Sequence, residues 1–301
     1  MAAMKYRGRF APSPTGPLHF GSLVAAAGSY LDARARRGDW LVRIEDLDPP
    51  RNVPGAADDI LRTLEALGMH WDGAVLYQST RNDAYDAALE QLRGKKLLYP
   101  CACSRREIAD SAVAGIDGPV YPGTCRNGLQ AGRAARSERV LTRGAMIEFS
   151  DAVQGSISQN VERLIGDFVV KRADGLYAYQ LAVVVDDAAQ GITDIVRGAD
   201  LLDSTPRQIW LQQLLGVATP RYAHLPVAVN VMGEKLSKQT LAQAVDTSVP
   251  VTALNMALAF LGQEPVTDCA PLDTEAFWQR AIAGWDLNKV PRHRTLPAAA
   301  I

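Results

Sequence analysis

An α/β fold built on a parallel sheet, with a small cysteine-bearing module set into it, is predicted by three observations. A strand, a helix and a second strand follow one another within about 40 residues, in "YRGRFAP", "GSLVAAAGSYLDARARRG" and "DWLVRI"; that order is a βαβ unit. Stretches of helical period alternate with short apolar runs through most of the rest. Residues 97–130 break the pattern: "LYPCACSRREI" and "GPVYPGTCRNG" are rich in Cys, Pro and Gly and carry no long period.

Taken in order, the first strand breaks at Pro12, and a helix is expected from Gly21 to the arginines before Gly38. Basic residues near a helix C-terminus suit its dipole. "AADDILRTLEALGMHW" and "RNDAYDAALEQLRGKK" read as amphipathic helices. "DFVVKRADGLYAYQLAVVVDD" reads as two β-rich runs joined at Asp174-Gly175, a hairpin signal. "GITDIVRGADLL" reads as strand and turn, "PRQIWLQQLLG" as a helix, and "LPVAVNVMGEKLSKQT" as strand, turn and helix start. The last 60 or so residues look mainly helical, with a loose tail at "PRHRTLPAAAI".

The formal net charge of −1 argues against a general electrostatic nucleic-acid binder, though not against a local basic face. "MAAMKYRGRF" lacks the apolar stretch of a secretory leader, and apolar runs such as "LAVVV" soon end in charge. A cytoplasmic, reducing setting is expected, with no membrane segment; there, close cysteines bind metal more often than they pair.

The segment "RGRFAPSPTGPLHFGSL" carries the first chemistry. Gly21 and Ser22 fall at a helix start, where free N–H groups and the dipole favour anions, and His19 stands just before them as a donor to phosphate or as a satisfied turn residue. Neither G-x-G-x-x-G nor G-x-x-x-x-G-K-[ST] occurs. Far downstream, "GEKLSKQT" sets Lys235 and Lys238 on either side of Ser237; lysines on a loop can neutralise a departing pyrophosphate. Cys101, Cys103 and Cys125 put three thiols within 25 residues, a structural zinc pattern that still needs a fourth ligand. His70 and His224 lie far from them in sequence, and Cys269 is expected to be a small buried hydrophobe.

"PLHFGSL" and "KLSKQ" together resemble the HIGH and KMSKS signatures of class I aminoacyl-tRNA synthetases. "RFAPSPTGPLHFGS", "VRIEDLDPPR", "YAYQLAVVVDD" and "DIVRGADLL" narrow the resemblance to the glutamyl-tRNA synthetase pattern over roughly residues 6–240. It implies a Rossmann-type catalytic domain in two halves, 1–96 and 189–240. An insertion, 97–188, holds a zinc module at 97–130 and a β-hairpin, and a short helical extension spans 241–301. It implies ATP with Mg²⁺, with His19, Gly21, Ser22, Lys235, Ser237 and Lys238 on the nucleotide and His19 and Lys238 catalytic. It implies L-glutamate held by Arg9, Glu45, Tyr179 and Arg197 with Phe10, Ala11, Pro12 and Ser13. That set suits the substrate's charges: a carboxylate for the ammonium, arginines for the carboxylates. The resemblance also supplies Tyr121 as the fourth zinc ligand, one zinc per chain.

About 60 residues follow "KLSKQ", too few for the helical anticodon reader of a full glutamyl-tRNA synthetase. Short relatives with C-x-C and Y-x₃-C are the glutamyl-queuosine tRNA(Asp) synthetases. Resemblance to that family implies tRNA-independent glutamate activation, then transfer to queuosine at the wobble position of tRNA(Asp), with no obligate protein partner. Acylation of a tRNA 3′ end, a non-catalytic paralogue and a small-molecule nucleotidyltransferase of related fold are the rival readings. The motifs "IEDLD" and "IVRGADLL" do not fit the last.

Overall fold

The structure is a computed structural model that describes residues 5–111, 113–230, 232–236, 243–271 and 273–298. Strand β1 (Arg7–Phe10) leads into helix α1 (Phe20–Ala35) and returns to β2 (Asp39–Ile44). β1 and β2 pair in parallel, Arg7 opposite Asp39 through Phe10 opposite Val42, which is the βαβ unit the sequence predicts. Helix α2 (Ala56–Ala66) then precedes β3 (Leu76–Tyr77), the third parallel strand, and helix α3 (Asn82–Gly94).

Strand β4 (Leu98–Cys101), helix α4 (Arg105–Ser111) and the two-residue strands β5 (Ala114–Gly115) and β6 (Gly118–Pro119) open the central part. β7 (Ser137–Val140), β8 (Met146–Asp151), β9 (Gly155–Asn160), the single turn α5 (Val161–Leu164) and β10 (Phe168–Lys171) come next. β7 lies between β4 and β10, antiparallel to both, and β8 and β9 form a hairpin.

Residues after Asp174-Gly175 depart from the sequence reading. The turn itself is there, with Gly175 at φ 84° and Arg172 N–H donating to Leu176 O at 2.8 Å. The run after it is not a second strand but helix α6 (Tyr179–Ala189). Leu181, Ala182, Val183 and Val184 are all buried, so consecutive positions are apolar and no helical stripe shows. β-branched residues in such a run imitate a buried strand.

Strand β11 (Asp194–Gly198), helix α7 (Thr205–Leu215), β12 (Arg221–Leu225) and β13 (Val227–Val229) complete the second parallel unit. β11 and β12 pair in parallel, and β8 joins β12 through Tyr222 opposite Asp151. The two parallel units meet where Thr193 N–H donates to Arg7 O at 2.9 Å and Arg7 N–H donates to Thr193 Oγ1 at 2.9 Å.

Helices α8 (Pro250–Phe260) and α9 (Thr274–Gly284) fold back onto α1, sharing one core with Leu23, Ala27 and Leu31 through Leu254, Leu258 and Phe277. Trp278 Nε1–H reaches Leu67 O at 2.8 Å. The tail is not loose throughout: β14 (Thr295–Pro297) pairs in parallel with β13. Cys269 is part-exposed at the edge of this core rather than buried in it. Among the described residues no helix is long and apolar enough to cross a membrane.

A candidate active-site cleft and a cysteine cluster

A cleft of about 990 Å³ opens at the C-terminal ends of β1, β2 and β11, beside the start of α1. Such switch points are where open α/β sheets bind ligands. Arg9, Phe10, Ala11, Pro12 and Ser13 line it from the end of β1 and the turn beyond; His19, Gly21 and Ser22 line it from the start of α1. Glu45 enters from the end of β2, Tyr179 from the first turn of α6, Arg197 from β11, and Lys235 from the segment after β13. Ser237 and Lys238 lie outside the described residues.

The deep end is a network of buried charge. Asp187 Oδ1 accepts from Arg43 Nη1 at 2.8 Å and from Arg9 Nε at 3.2 Å, while Arg43 Nη2 donates to Glu45 Oε1 at 3.2 Å. Burial works against the charged form of Asp187, but Arg43 and Arg9 hold its carboxyl below the usual range. Burial has the upper hand at Glu45 and raises its carboxyl despite the same two arginines. Burial and the nearby Glu45 push the Tyr179 phenol up to about 12, which keeps it a hydrogen-bond donor.

Arg197 stands 5% exposed on β11. Its Nε donates to His224 Nε2 at 3.0 Å, and its Nη2 donates to Thr205 Oγ1 and Gln208 Oε1, both at 2.8 Å. Its Nη1 is buried with no hydrogen-bond partner among the described residues. An orphaned guanidinium nitrogen in a protein interior is costly unless an acceptor arrives.

The shallow end is built differently. His19 is the N-cap of α1, its Nδ1 accepting from Ser22 N–H at 3.4 Å. The first turn of α1 holds no acidic residue, so its dipole stands available to an anion. The described flanks of 237–242 both dock here: Lys235 bridges Val229, Ala244 bridges His19, and Val245 N–H donates to Leu18 O at 2.9 Å. A Cβ on Gly21 would press on the His19 ring at 3.2 Å, with Leu236 O next at 3.4 Å. Lys235 is half exposed and ion-paired with Asp200.

Away from the cleft, the thiols of Cys101, Cys103 and Cys125 lie within 4.8 Å of one another. Tyr121 Oη sits 3.4 Å from Cys101 Sγ and 3.8 Å from Cys103 Sγ, and accepts from Cys125 N–H at 2.9 Å. The four residues thus converge, although Cys101 ends a strand and Tyr121 follows a hairpin. Burial alone would raise the Cys101 thiol; hydrogen bonds from Tyr121 and Arg139 bring it down to about 7. Three sulfurs and a phenol oxygen gathered this closely are a donor set for a four-coordinate ion.

Sequence reasoning missed Arg43, Asp187, Asp151, His224, Thr205 and Gln208. Arg43 was discoverable, since it stands two positions from Glu45 and so shares its face of β2. His224 has no such signal: its partner Arg197 lies 27 positions away on the neighbouring strand.

The family described as "tRNA synthetases class I (E and Q), catalytic domain" matches residues 5–259. The glutamyl-Q tRNA(Asp) synthetase of Dechloromonas aromatica is 62% identical over 289 residues, covering 95% of this chain and 96% of that protein. The protein of the same name from Chromobacterium violaceum is 58% identical, covering 97% of each. A crystal structure of a glutamate tRNA ligase from Elizabethkingia meningosepticum in complex with its amino acid superposes with a TM-score of 0.79 at 29% identity, over 98% of this chain and 67% of that one. By this family match and these identities, the chain belongs to the E and Q class I tRNA synthetases and, within them, to the glutamyl-Q tRNA(Asp) synthetases.

Proposed function

We propose that this chain activates L-glutamate with ATP in the absence of tRNA and then transfers glutamate to the queuosine base at the wobble position of tRNA(Asp). The observation that carries the glutamate assignment is the orphaned Nη1 of Arg197, a buried cationic donor in a cleft that also holds Arg9 and Glu45. Glutamate matches this set: Arg197 and Arg9 face its carboxylates, Glu45 its ammonium, and the Tyr179 hydroxyl donates to a carboxylate oxygen. Phe10, Ala11, Pro12 and Ser13 shape the wall between them.

In the first step the α-carboxylate oxygen of glutamate bonds to the α-phosphorus of ATP, the bond to the β-phosphate bridging oxygen breaks, and pyrophosphate leaves. His19, Gly21 and Ser22 hold the phosphates at the start of α1, where the helix dipole favours an anion. Lys235, Ser237 and Lys238 complete the nucleotide site, with Lys238 countering charge on the departing pyrophosphate. Mg²⁺ bound with ATP supplies further charge neutralisation. In the second step a queuosine hydroxyl attacks the carbonyl of the mixed anhydride and AMP leaves. Positioning and electrostatics carry both steps, with no covalent enzyme intermediate.

A structural zinc on Cys101, Cys103, Cys125 and Tyr121 would cross-link β4 to the loop after β6 within a 97–188 insertion between catalytic halves. Residues 250–284 pack on α1 and share its core, so they are not available as a separate anticodon-reading body.

Labelled glutamate tests the function. Glutamate-dependent pyrophosphate exchange is expected without tRNA, and label is expected on tRNA(Asp) only when it carries queuosine. Label at the 3′ end of tRNA lacking queuosine would overturn the reading. About one zinc per chain is expected by elemental analysis, lost in Cys103→Ser; a metal-free, folded and active wild type would defeat the zinc assignment.

A further inference from the structure

We infer that Asp151, at the end of β8, is a positioning residue for substrate binding: through His224 it fixes the guanidinium of Arg197 and thereby the hold of the cleft on a carboxylate. The inference rests on the reading of Arg197 as a glutamate ligand. Asp151 does not line the cleft itself; it lies on β8, two strands from Arg197 on β11 in the same sheet.

The geometry is a relay in which each donor meets one kind of acceptor. Asp151 Oδ1 accepts the backbone N–H groups of Val153, Gln154 and His224 at 3.0, 2.8 and 3.1 Å, so the carboxylate cannot swing. Its Oδ2 lies 2.6 Å from His224 Nδ1. A ring nitrogen that close to a carboxylate carries the proton, which leaves Nε2 of the neutral imidazole as an acceptor. Arg197 Nε–H is a donor with no other role available, and it meets that acceptor at 3.0 Å. Nη2 is held by Thr205 and Gln208, so the guanidinium is pinned on two sides and Nη1 is the nitrogen left for a ligand.

The charged and titratable groups around His224 are Asp151 from the hairpin, Arg197 from β11, Asp200 from the segment after it, and Tyr222, whose ring stacks at 6.0 Å on the same strand. Burial, with Arg197, brings the imidazole down to about 4 against the pull of Asp151. The ring therefore stays neutral at working pH, as the relay requires. A purely structural strut would need none of this polarity match.

Asp151→Asn keeps the side-chain volume and an oxygen for the backbone N–H groups. Its amide then donates to Nδ1, the imidazole proton moves to Nε2, and Nε2 turns from acceptor to donor: it can give its proton to Thr205 Oγ1, 3.1 Å away, but no longer accepts from Arg197 Nε; the same logic governs a histidine whose orienting carboxylate becomes an amide. In tRNA-free pyrophosphate exchange the KM for glutamate is expected to rise about tenfold to a hundredfold, the range for a disrupted buried hydrogen bond. The KM for ATP should stay within about twofold of wild type. ¹⁵N imidazole signals should report Nδ1–H in the wild type and Nε2–H in the variant. Adding His224→Gln to Asp151→Asn should restore glutamate affinity, because a glutamine amide can turn its oxygen to Arg197 whatever occupies position 151.

An unchanged KM for glutamate, or equal rises in both KM values, would overturn the inference. If Asp151→Asn fails to fold, His224→Gln against His224→Leu carries the test, with only the leucine variant losing glutamate affinity; equal behaviour of the two would overturn it. A wild type that shows no glutamate-dependent exchange would instead sink the glutamate reading, and the tautomer change in the ¹⁵N spectrum remains a separate readout of the relay.

Discussion

The two ends of the cleft solve different binding problems. At the deep end Arg9, Arg43, Asp187, Glu45 and Arg197 are buried and tied to one another or to His224 and Gln208. At the shallow end the site consists of a helix start, an N-cap histidine and a half-exposed lysine already paired with Asp200. On the proposed reading, a small zwitterion with three charges meets groups fixed in advance, which spares the cost of ordering them at binding. On the same reading, a triphosphate that must enter, react and leave as pyrophosphate meets a helix start and side chains on the segment after β13. Removing a fixed, desolvated charge should therefore cost far more than removing an exposed one.

Arg197→Ala sharpens that contrast most. Loss of one partner of a buried charge pair costs about 2–5 kcal/mol, so kcat/KM for glutamate in pyrophosphate exchange is expected to fall by about thirtyfold or more, with ATP affinity little changed. Retained glutamate affinity would mean the deep end is a structural ion network.

Acid should act on the deep end next. His224 is held at about 4 in the fold by burial, against about 6.5 in an unfolded chain. Between those values the unfolded state binds more protons, so this contribution to stability is full above pH 6.5 and is lost as pH falls towards 4. The loss amounts to about 3 kcal/mol at most. Asp151, held below its usual range, pushes the same way at still lower pH. Urea melts at pH 7 and 4.5 measure it, and His224→Gln should flatten the slope over that interval. An equal slope in the variant would place the acid sensitivity elsewhere.

Lys235→Ala is the smallest expected effect. Its side chain is 49% exposed and its ammonium pairs with Asp200, and exposed pairs contribute little. The rate of adenylate formation should change by no more than about threefold. A hundredfold loss would show that the Asp200 pair opens and that the lysine is delivered to the phosphates.

The first βαβ unit was legible because its residues carry it locally: a short strand broken at Pro12, an apolar run in β2, and arginines ending α1. Helix α6 was not, since Leu181 to Val184 are buried all round and hide the helical period. Strand β14 was not, because Thr295 acquires its conformation from Val227, a partner far off in the chain. The cleft shows the same division. Arg9, Glu45 and Arg197 could be placed by resemblance to a family, and the structure brings them to one cleft. The groups that hold them, Asp187, Asp151 and His224, come from segments that meet only on folding, and no spacing in the sequence announces them.

The packing of α8 and α9 on α1 has a consequence for synthesis on the ribosome. The helix that opens the nucleotide site is among the first elements made, yet Leu23, Ala27 and Leu31 find their cover in Leu254, Leu258 and Phe277, more than 200 residues later. Until those residues leave the exit tunnel, one face of the catalytic helix stays wet and adhesive. Contacts of such long sequence separation slow folding and expose nascent chains to aggregation. A messenger or protease lesion that removes the stretch after residue 250 should therefore yield an insoluble polypeptide, even though every residue assigned to glutamate and ATP would still be present.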